Sequence, residues 1–301
     1  MHVALLQGGL SSEREVSLST GRGVEEALNA LEHRVSVIDV GRDIAQELES
    51  IKPDIAFNAL HGTYGEDGCV QGVLEFLQIP YTHSGVRASA VAMHKPTAKL
   101  LFQSVGVRCV EGKVASREEV LAGGVMATPY VIKPLAEGSS VGVYLVNNEE
   151  KLASINLPDH ATFLVEKFIA GREVSVAVLE GKSLGVVEIC PHDGWYDYAN
   201  KYTAGNTDYL VPAPIEKEVM DEVMAMSESA FSVMECRGVA RTDIRIDEDG
   251  KAFMLEINTH PGMTPTSLVP KIAEYAGISF ELLVKKLIES ARCEYGESAA
   301  L

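Results

Sequence analysis

Asp243, Glu256 and Asn258 are the residues from which chemistry can first be read. The run Phe253-Met254-Leu255-Glu256-Ile257-Asn258 alternates as a strand does, which places Met254, Glu256 and Asn258 on one face and Leu255 and Ile257 on the other. Upstream, Val239 to Ile246 also alternates, with Arg241, Asp243 and Arg245 on one face and Ala240, Thr242 and Ile244 on the other. The turn Asp247-Glu248-Asp249-Gly250 joins the two runs into a hairpin and brings Asp243 close to Glu256. Two carboxylates and one amide are hard oxygen donors, with no sulfur or grouped imidazole beside them. Such a set suits magnesium, which completes its shell with substrate phosphates. A merely solvated acidic hairpin has the same composition, so the rest of the chain must decide.

Composition bounds the alternatives. The chain has 301 residues, 46% apolar and 23% charged, the make-up of a soluble globular protein with room for two or three domains. Its net charge of -17 argues against nucleic acid or an anionic membrane as partner, since both draw on a basic surface. Lysines that serve a ligand must then be local. Five cysteines, Cys69, Cys109, Cys190, Cys236 and Cys293, are scattered and form no C-x-x-C pair. That fits reduced thiols and a cytoplasmic setting better than disulfides or zinc. Met1-His2 runs straight into a strand pattern, so no signal peptide is expected, and no apolar run approaches the ~18 residues of a membrane span.

The elements that must position these residues follow from periodicity. Val3 to Leu6 reads as a buried strand, followed by the turn Gln7-Gly8-Gly9 and a polar run, with Glu13 and Arg14, that opens a helix. Further strands are expected at Arg34 to Val40 and Asp54 to Ala59, and a second helix carries Val70, Val73, Leu74 and Leu77 on one side. This order predicts an open parallel sheet whose ligand crevice lies at the C-terminal strand ends, where the Gly8-Gly9 and His61 loops fall. No G-x-G-x-x-G loop is present there, so a dinucleotide is not expected. A domain boundary follows near residues 84 to 90, after which Ala88 to His94 and Pro96 to Ser104 read as helices. Strands are then expected at Tyr130 to Lys133, Val141 to Val146, Thr162 to Phe168, Glu173 to Leu179 and Ser183 to Ile189. The loop Lys133 to Gly142, with its Gly138-Ser139-Ser140 tip, can offer N–H groups, hydroxyls and a lysine charge to phosphate.

The motifs Gly8-Gly9 to Val16-Ser17, Ala59-Leu60-His61-Gly62, Gly65-Glu66-Asp67-Gly68, Glu137 to Gly142, Lys201-Tyr202, Arg241-Thr242-Asp243, Glu256 to Thr259, Pro261 to Thr264 and Ser267 to Pro270 stand collinear over nearly the whole chain. Jointly they resemble the D-alanine-D-alanine ligase family. The resemblance implies a mixed α/β and α+β fold: an N-terminal Rossmann-like parallel-sheet domain (residues 1–88), then a two-lobed ATP-grasp fold with a central lobe (89–175) and a C-terminal lobe (176–301). It implies that ATP phosphorylates the carboxylate of one D-alanine and that the amine of a second attacks the acyl phosphate, giving the peptidoglycan precursor D-alanyl-D-alanine. It further implies two magnesium or manganese ions and a homodimer.

The resemblance also carries roles, residue by residue. Asp243, Glu256 and Asn258 match the metal ligands, in agreement with the hairpin reading. Lys95, Lys133 and Lys201 match phosphate-contacting lysines, and Glu166, Lys167, Phe168 and Glu173 match adenine and ribose contacts. Glu13 matches the anchor of the first D-alanine ammonium, with His61 near that substrate. Ser139 matches the hydroxyl linking Glu13 to the loop that carries Tyr202. Arg241 and the N–H of Gly262 match the stabilisers of the acyl phosphate and tetrahedral intermediate, and Ser267 and Leu268 the holders of the second carboxylate. The sequence departs from the family at His94, commonly acidic, at Ala136, often arginine, and at Ala240, often glycine; His260 occupies a variable position. The aromatic stretch Trp195 to Asn206 reads as a loop able to close over ATP.

Two other readings use the same nucleotide residues. Another ATP-grasp carboxylate-amine ligase would change Glu13, Ser139, Tyr202 and Ser267-Leu268, and a non-catalytic nucleotide-binding module would be expected to lose Arg241 or a metal ligand. In the family, members that carry a Lys-Tyr pair where Lys201-Tyr202 stands make the dipeptide rather than the D-lactate ester. The expected outcome at pH 7 with equimolar D-alanine and D-lactate is at least about tenfold more dipeptide, a difference of ~1.4 kcal/mol in transition-state binding. Equal amounts of the two products would overturn it.

Overall fold

Val3, Ala4, Leu5 and Leu6 are all fully buried, which a strand permits when both sheet faces are covered. They form β1 (His2–Gln7), the middle strand of a parallel sheet of order β2-β1-β3, with β2 at Arg34–Asp39 and β3 at Ile55–Asn58. Val3 and Leu5 enter a core with Val24 and Leu28 of α1 (Arg14–Ala30), while Ala4 and Leu6 enter another with Leu48 of α2 (Ile44–Ile51) and Leu74 of α3 (Cys69–Phe76). This is the open parallel sheet expected from the alternation of strands and helices. The computed structural model describes residues 1–136, 142–159, 161–192, 205–264 and 267–295.

Helices α4 (Val86–Met93) and α5 (Lys95–Ser104) lead into an antiparallel sheet of order β4-β7-β5-β6. Its strands are β4 (Gly112–Ser116), β5 (Tyr130–Pro134), β6 (Tyr144–Val146) and β7 (Thr162–Lys167), and α6 (Arg117–Leu121) and α7 (Glu149–Ala153) lie between them in the chain. β4 and α6 occupy a stretch in which the sequence pattern suggested no element. Ala115 is the one fully buried side chain of β4, so there was no alternation to read. Expected from Val141, β6 pairs with β5 from Tyr144.

The remaining strands form a five-stranded antiparallel sheet of order β10-β9-β8-β11-β12, comprising β8 (Arg172–Leu179), β9 (Lys182–Pro191), β10 (Thr207–Leu210), β11 (Val239–Ile246) and β12 (Ala252–Asn258). Among the described residues, three helices accompany it: α8 (Lys217–Val233), α9 (Leu268–Tyr275) and α10 (Phe280–Ser290). β8 runs unbroken through residues 175 and 176 and pairs with both neighbours along its length, so this layer holds both sides of the boundary drawn there from sequence. One face of the sheet packs on α8 through Val176, Val186, Ala240 and Ile244. The other is divided lengthwise. Ala177, Leu179, Val187 and Val239 join Val3, Leu5 and Phe57 in a core shared with the parallel sheet, while Ser175, Asp243 and Arg245 make the far end polar.

The β11–β12 hairpin forms as expected, with Asp243 directly opposite Glu256 and Arg241 opposite Asn258. One expectation fails. Met254 does not share a face with Glu256: the register shifts after Asp243, Ile244 pairs with Met254, and Leu255 is the extra residue of a β-bulge. Met254 and Ile257 therefore both enter the core beside Ile244, and Leu255 is only partly buried. Met254→Ala should cost about 2–5 kcal/mol in urea unfolding, and Leu255→Ala less than about 2 kcal/mol. The reverse order would mean that β12 alternates without the bulge.

Candidate active site

The turn after β1 fixes the first part of the site. Gly8 has φ of 72°, and a Cβ there would lie 2.2 Å from Asp39 Oδ1, so a side chain is excluded on two counts. The open space lets Arg14 grip Asp39 through bonds of 2.6 and 2.5 Å, which holds the start of α1 against β2. Glu13, immediately before α1, is thereby set against the loop that follows β3: a Cβ on Gly62 would come within 3.3 Å of its Oε1. His61 lies in that loop and is buried. Its Nδ1 is 3.0 Å from Glu66 Oε1 and its Nε2 is 2.9 Å from Thr20 Oγ1. Both ring nitrogens of His61 are thus engaged within the protein, beside Glu13.

The second part is a set of buried lysines held on carboxylates, of which Glu166 is itself buried. Lys95 and Lys99 lie one turn apart on α5 and are both buried, at 8% and 7% exposure. Lys99 Nζ is 2.5 Å from Glu166 Oε1 and donates to the Met254 carbonyl at 3.3 Å, while Lys133 pairs with the other Glu166 oxygen. Burial alone would raise the Glu166 pKa, but Lys133 and Lys99 outweigh it and hold the carboxyl below the usual range. Burial likewise opposes the Lys133 charge and is overcome by Glu166, Glu256 and Glu173, so its pKa rises; Lys99 is pushed down, by burial first. Sequence pattern offered no means of seeing Lys99, because a lysine on a helix normally reads as a solvated residue.

Lys95 reaches the third part, with its Nζ 3.6 Å from Glu256 Oε2. Arg241 holds Asp243 by two bonds of 2.8 Å, and Ser175 Oγ donates to Asp243 Oδ1 at 2.6 Å. Asn258 Oδ1 accepts the N–H of His260 at 2.8 Å. Among the described residues, no group of three His, Cys, Asp or Glu is arranged as a metal site. The Asp243, Glu256 and Asn258 set nevertheless fits a hard cation in kind, with oxygen donors on adjoining strands, Asp243 directly opposite Glu256, and cations already balancing the charge. Nearby, Arg245 bonds Glu173 at 3.0 Å and lies over the Phe168 ring at 5.5 Å, so two of the expected adenine and ribose residues are fixed by one guanidinium. Lys167 is exposed.

The loop after β12 carries Gly262, where a Cβ would sit 2.9 Å from Ser267 Oγ. That hydroxyl lies 2.7 Å from Thr264 Oγ1 and makes no cap on α9, so Ser267 and Leu268 stand at a helix N-terminus whose first N–H groups have no side-chain cap. The Leu268 side chain is core. Ser139, Lys201, Tyr202 and most of the Trp195 to Asn206 loop lie outside the described residues.

An antiparallel pair of sheets joined by buried lysines, with a hard-oxygen edge and a preceding parallel sheet, defines the ATP-grasp class of nucleotide-dependent ligases. The models for the "D-ala D-ala ligase N-terminus" and "D-ala D-ala ligase C-terminus" match residues 39–84 and 104–289. The chain belongs to the D-ala D-ala ligase family. It is 49% identical over 304 residues to the D-alanine–D-alanine ligase of Parvibaculum lavamentivorans, covering 97% of this chain and 98% of that protein. It is also 49% identical over 300 residues to that of Bartonella henselae, with 97% and 98% covered. The crystal structure of the Bacillus anthracis D-alanine–D-alanine ligase superimposes with a TM-score of 0.83 at 31% identity, covering 96% of this chain and 97% of that one. Its complex with ATP gives 0.81 at 30%, with 96% of each covered.

Behind the site two histidines are wholly buried. His83 and His260 stack with ring centroids 4.9 Å apart, and burial pushes His83 down to about 3 and His260 well below its usual value. A base whose folded pKa is depressed gives stability that is full above the unfolded value near 6.5 and is lost as pH falls toward the folded value. Unfolding free energy should therefore drop by roughly 1 kcal/mol per pH unit for each histidine below pH 6.5. Urea unfolding between pH 7.5 and 5 checks this. His83→Asn, a residue tolerant of the φ of 68° there, should remove about half the slope; an unchanged slope would contradict the assignment.

Proposed function

We infer that this protein joins two D-alanine molecules at the expense of ATP, giving D-alanyl-D-alanine, ADP and phosphate as a step in peptidoglycan precursor synthesis. The observation that carries the reading is the buried chain from Lys133 through Glu166 and Lys99, with Lys95 on Glu256 beside the Arg241 and Asp243 pair. It gathers three buried lysines, each held on a carboxylate, beside the hard-oxygen edge in a chain of net charge -17, a local set that a nucleotide's phosphates would meet.

In this reading Lys95, Lys133 and Lys201 hold phosphate oxygens, while Lys167, Phe168 and Glu173 hold adenine and ribose. Glu166, engaged on both oxygens, serves chiefly to aim the two lysines. Glu13 anchors the ammonium of the first D-alanine, with His61 filling the pocket beside it. By family resemblance, the Ser139 hydroxyl would link Glu13 to the loop that carries Tyr202. The first D-alanine carboxylate attacks the γ-phosphorus, the bond to the ADP oxygen breaks, and an acyl phosphate forms. The second D-alanine is held by its carboxylate at Ser267 and the N-terminus of α9 at Leu268, and its amine attacks the acyl carbon, loses a proton and expels phosphate. Arg241 and the Gly262 N–H stabilise the negative oxygens of both steps. Asp243, Glu256 and Asn258 would hold magnesium or manganese, two ions by family resemblance, which neutralises phosphate charge when bound. A three-domain organisation, a homodimer, a cytoplasmic location, and no nucleic acid or membrane partner complete the proposal.

Incubation with ATP, magnesium and D-alanine should release phosphate and dipeptide together, and nucleotide binding without either product would defeat the reading. Glu256→Gln keeps the shape but removes one charge, so turnover should fall by orders of magnitude while the unfolding midpoint holds. Near-normal turnover at saturating magnesium would refute the ligand assignment.

A further inference from the structure

The loop from Asn258 to Met263 is tied to the N-terminal domain at two points that the reaction chemistry does not use. The first tie is Gln71, fully buried on α3, whose Nε2 donates to the Gly65 carbonyl at 2.8 Å and lies 3.2 Å from His260 Nε2. A reversed amide would set its oxygen against that carbonyl, so its orientation is fixed. Gln71 then donates and His260 Nε2 accepts. The ring proton resides on Nδ1, which faces Thr259 Oγ1 at 3.1 Å. The His260 backbone N–H donates to Asn258 Oδ1 at 2.8 Å, so one residue links the N-terminal domain to the hard-oxygen edge.

The second tie is Thr20. Glu66 can only accept, so His61 Nδ1 donates to it at 3.0 Å, and the Thr20 hydroxyl meets His61 Nε2 at 2.9 Å. The Met263 N–H then approaches Thr20 Oγ1 at 3.5 Å. Gly262 lies between the two tied residues, His260 and Met263. Gly65 and Glu66, at the far ends of the ties, are neighbours in the loop that holds His61.

Resting on the ligase reading, we propose that Gln71, Thr20 and His260 are positioning residues that fix the 258–263 segment and so set the Gly262 N–H relative to the amino-acid pocket of Glu13 and His61. An oxyanion donor must be held within a few tenths of an ångström of the developing charge, and a loop tied at one end would not be. The bonds cross between parts of the chain 189 and 243 residues apart, so the substrate pocket and the catalytic loop hold one register. Packing alone does not account for the pairing, since an apolar side chain would fill the same space at His260 without demanding the fixed Gln71 amide.

The test compares Gln71→Leu, His260→Leu and His260→Gln in steady-state dipeptide synthesis, with unfolding midpoints and hydrogen exchange at the Met263 amide measured in parallel. His260→Gln places an acceptor near the position of Nε2, and His260→Leu has none. Expected are a fall in kcat of about tenfold or more for both leucine variants with the ATP KM within about twofold, and substantial recovery in His260→Gln. The double variant Gln71→Leu/His260→Leu should be no worse than the poorer single one, because both remove one bond. Faster exchange at Met263 should accompany the loss. Additive losses, a His260→Gln variant as poor as His260→Leu, or unchanged kcat would overturn the proposal. If a leucine variant does not fold, His260→Asn, too short to reach Gln71, takes its place against His260→Gln. A wild-type protein that makes no dipeptide tells against the ligase reading instead, and the exchange rates then decide whether the ties hold the loop.

Discussion

Glu166 is an anion buried between two cations, and the nucleotide side of the molecule depends on that balance. Removing a carboxylate or an ammonium from water costs several kcal/mol per ion, and the cost is offset only when partners are close and well aimed. Glu166 meets Lys99 and Lys133 together, so three buried charges stabilise one another where any one alone would not persist. The arrangement locks α5 to β5 and β7, while Lys99 also reaches the Met254 carbonyl on β12. α5, β5, β7 and β12 are therefore held together by side chains.

A bulge in β12 is what lets one strand serve both core and site. Without it, Met254 and Glu256 would point the same way, and either a methionine would sit at the hard-oxygen edge or a carboxylate would enter the core. Skipping Leu255 turns Met254 inward to Ile244 and leaves Glu256 facing Asp243. The irregularity was not legible in the sequence, because Met254, Leu255 and Ile257 are all apolar and suit either alternation. What was legible is the hairpin itself, since its turn and its charged face on β11 are strictly periodic. The parallel sheet was legible for the same reason, through its short buried strands and the helical spacing between them.

Other parts of the site were hidden because their meaning is set by distant partners. Lys99 reads as an ordinary helix lysine until Glu166 is brought beside it, and Thr20, Gln71 and Ser175 are single polar residues in apolar or small-residue surroundings. His61 was visible through its glycine-flanked loop at a strand end. Its engagement on both nitrogens was not, since Thr20 and Glu66 come from either side of it in the chain. Residue type and spacing reveal groups that act locally on one strand or turn. Groups that act by holding another side chain become visible only with the fold.

The same contrast explains how so acidic a chain can present cations to an anion. Long-range attraction cannot do it, because a net charge of -17 supplies none and salt largely screens charge beyond about a Debye length, roughly 8 Å at physiological salt. Inside that distance the local set governs, and burial strengthens it by excluding water from Lys95, Lys99 and Lys133. Each of these lysines is paired with a carboxylate, so the site carries little uncompensated charge while empty and the fold is not strained by mutual repulsion. On the proposed ligase reading, an incoming phosphate would share a cation that is already held in place, with the ordering cost met during folding rather than on binding. The acidity outside and the buried lysines within are therefore compatible: net charge acts over the whole surface, while each lysine is governed by the carboxylate beside it.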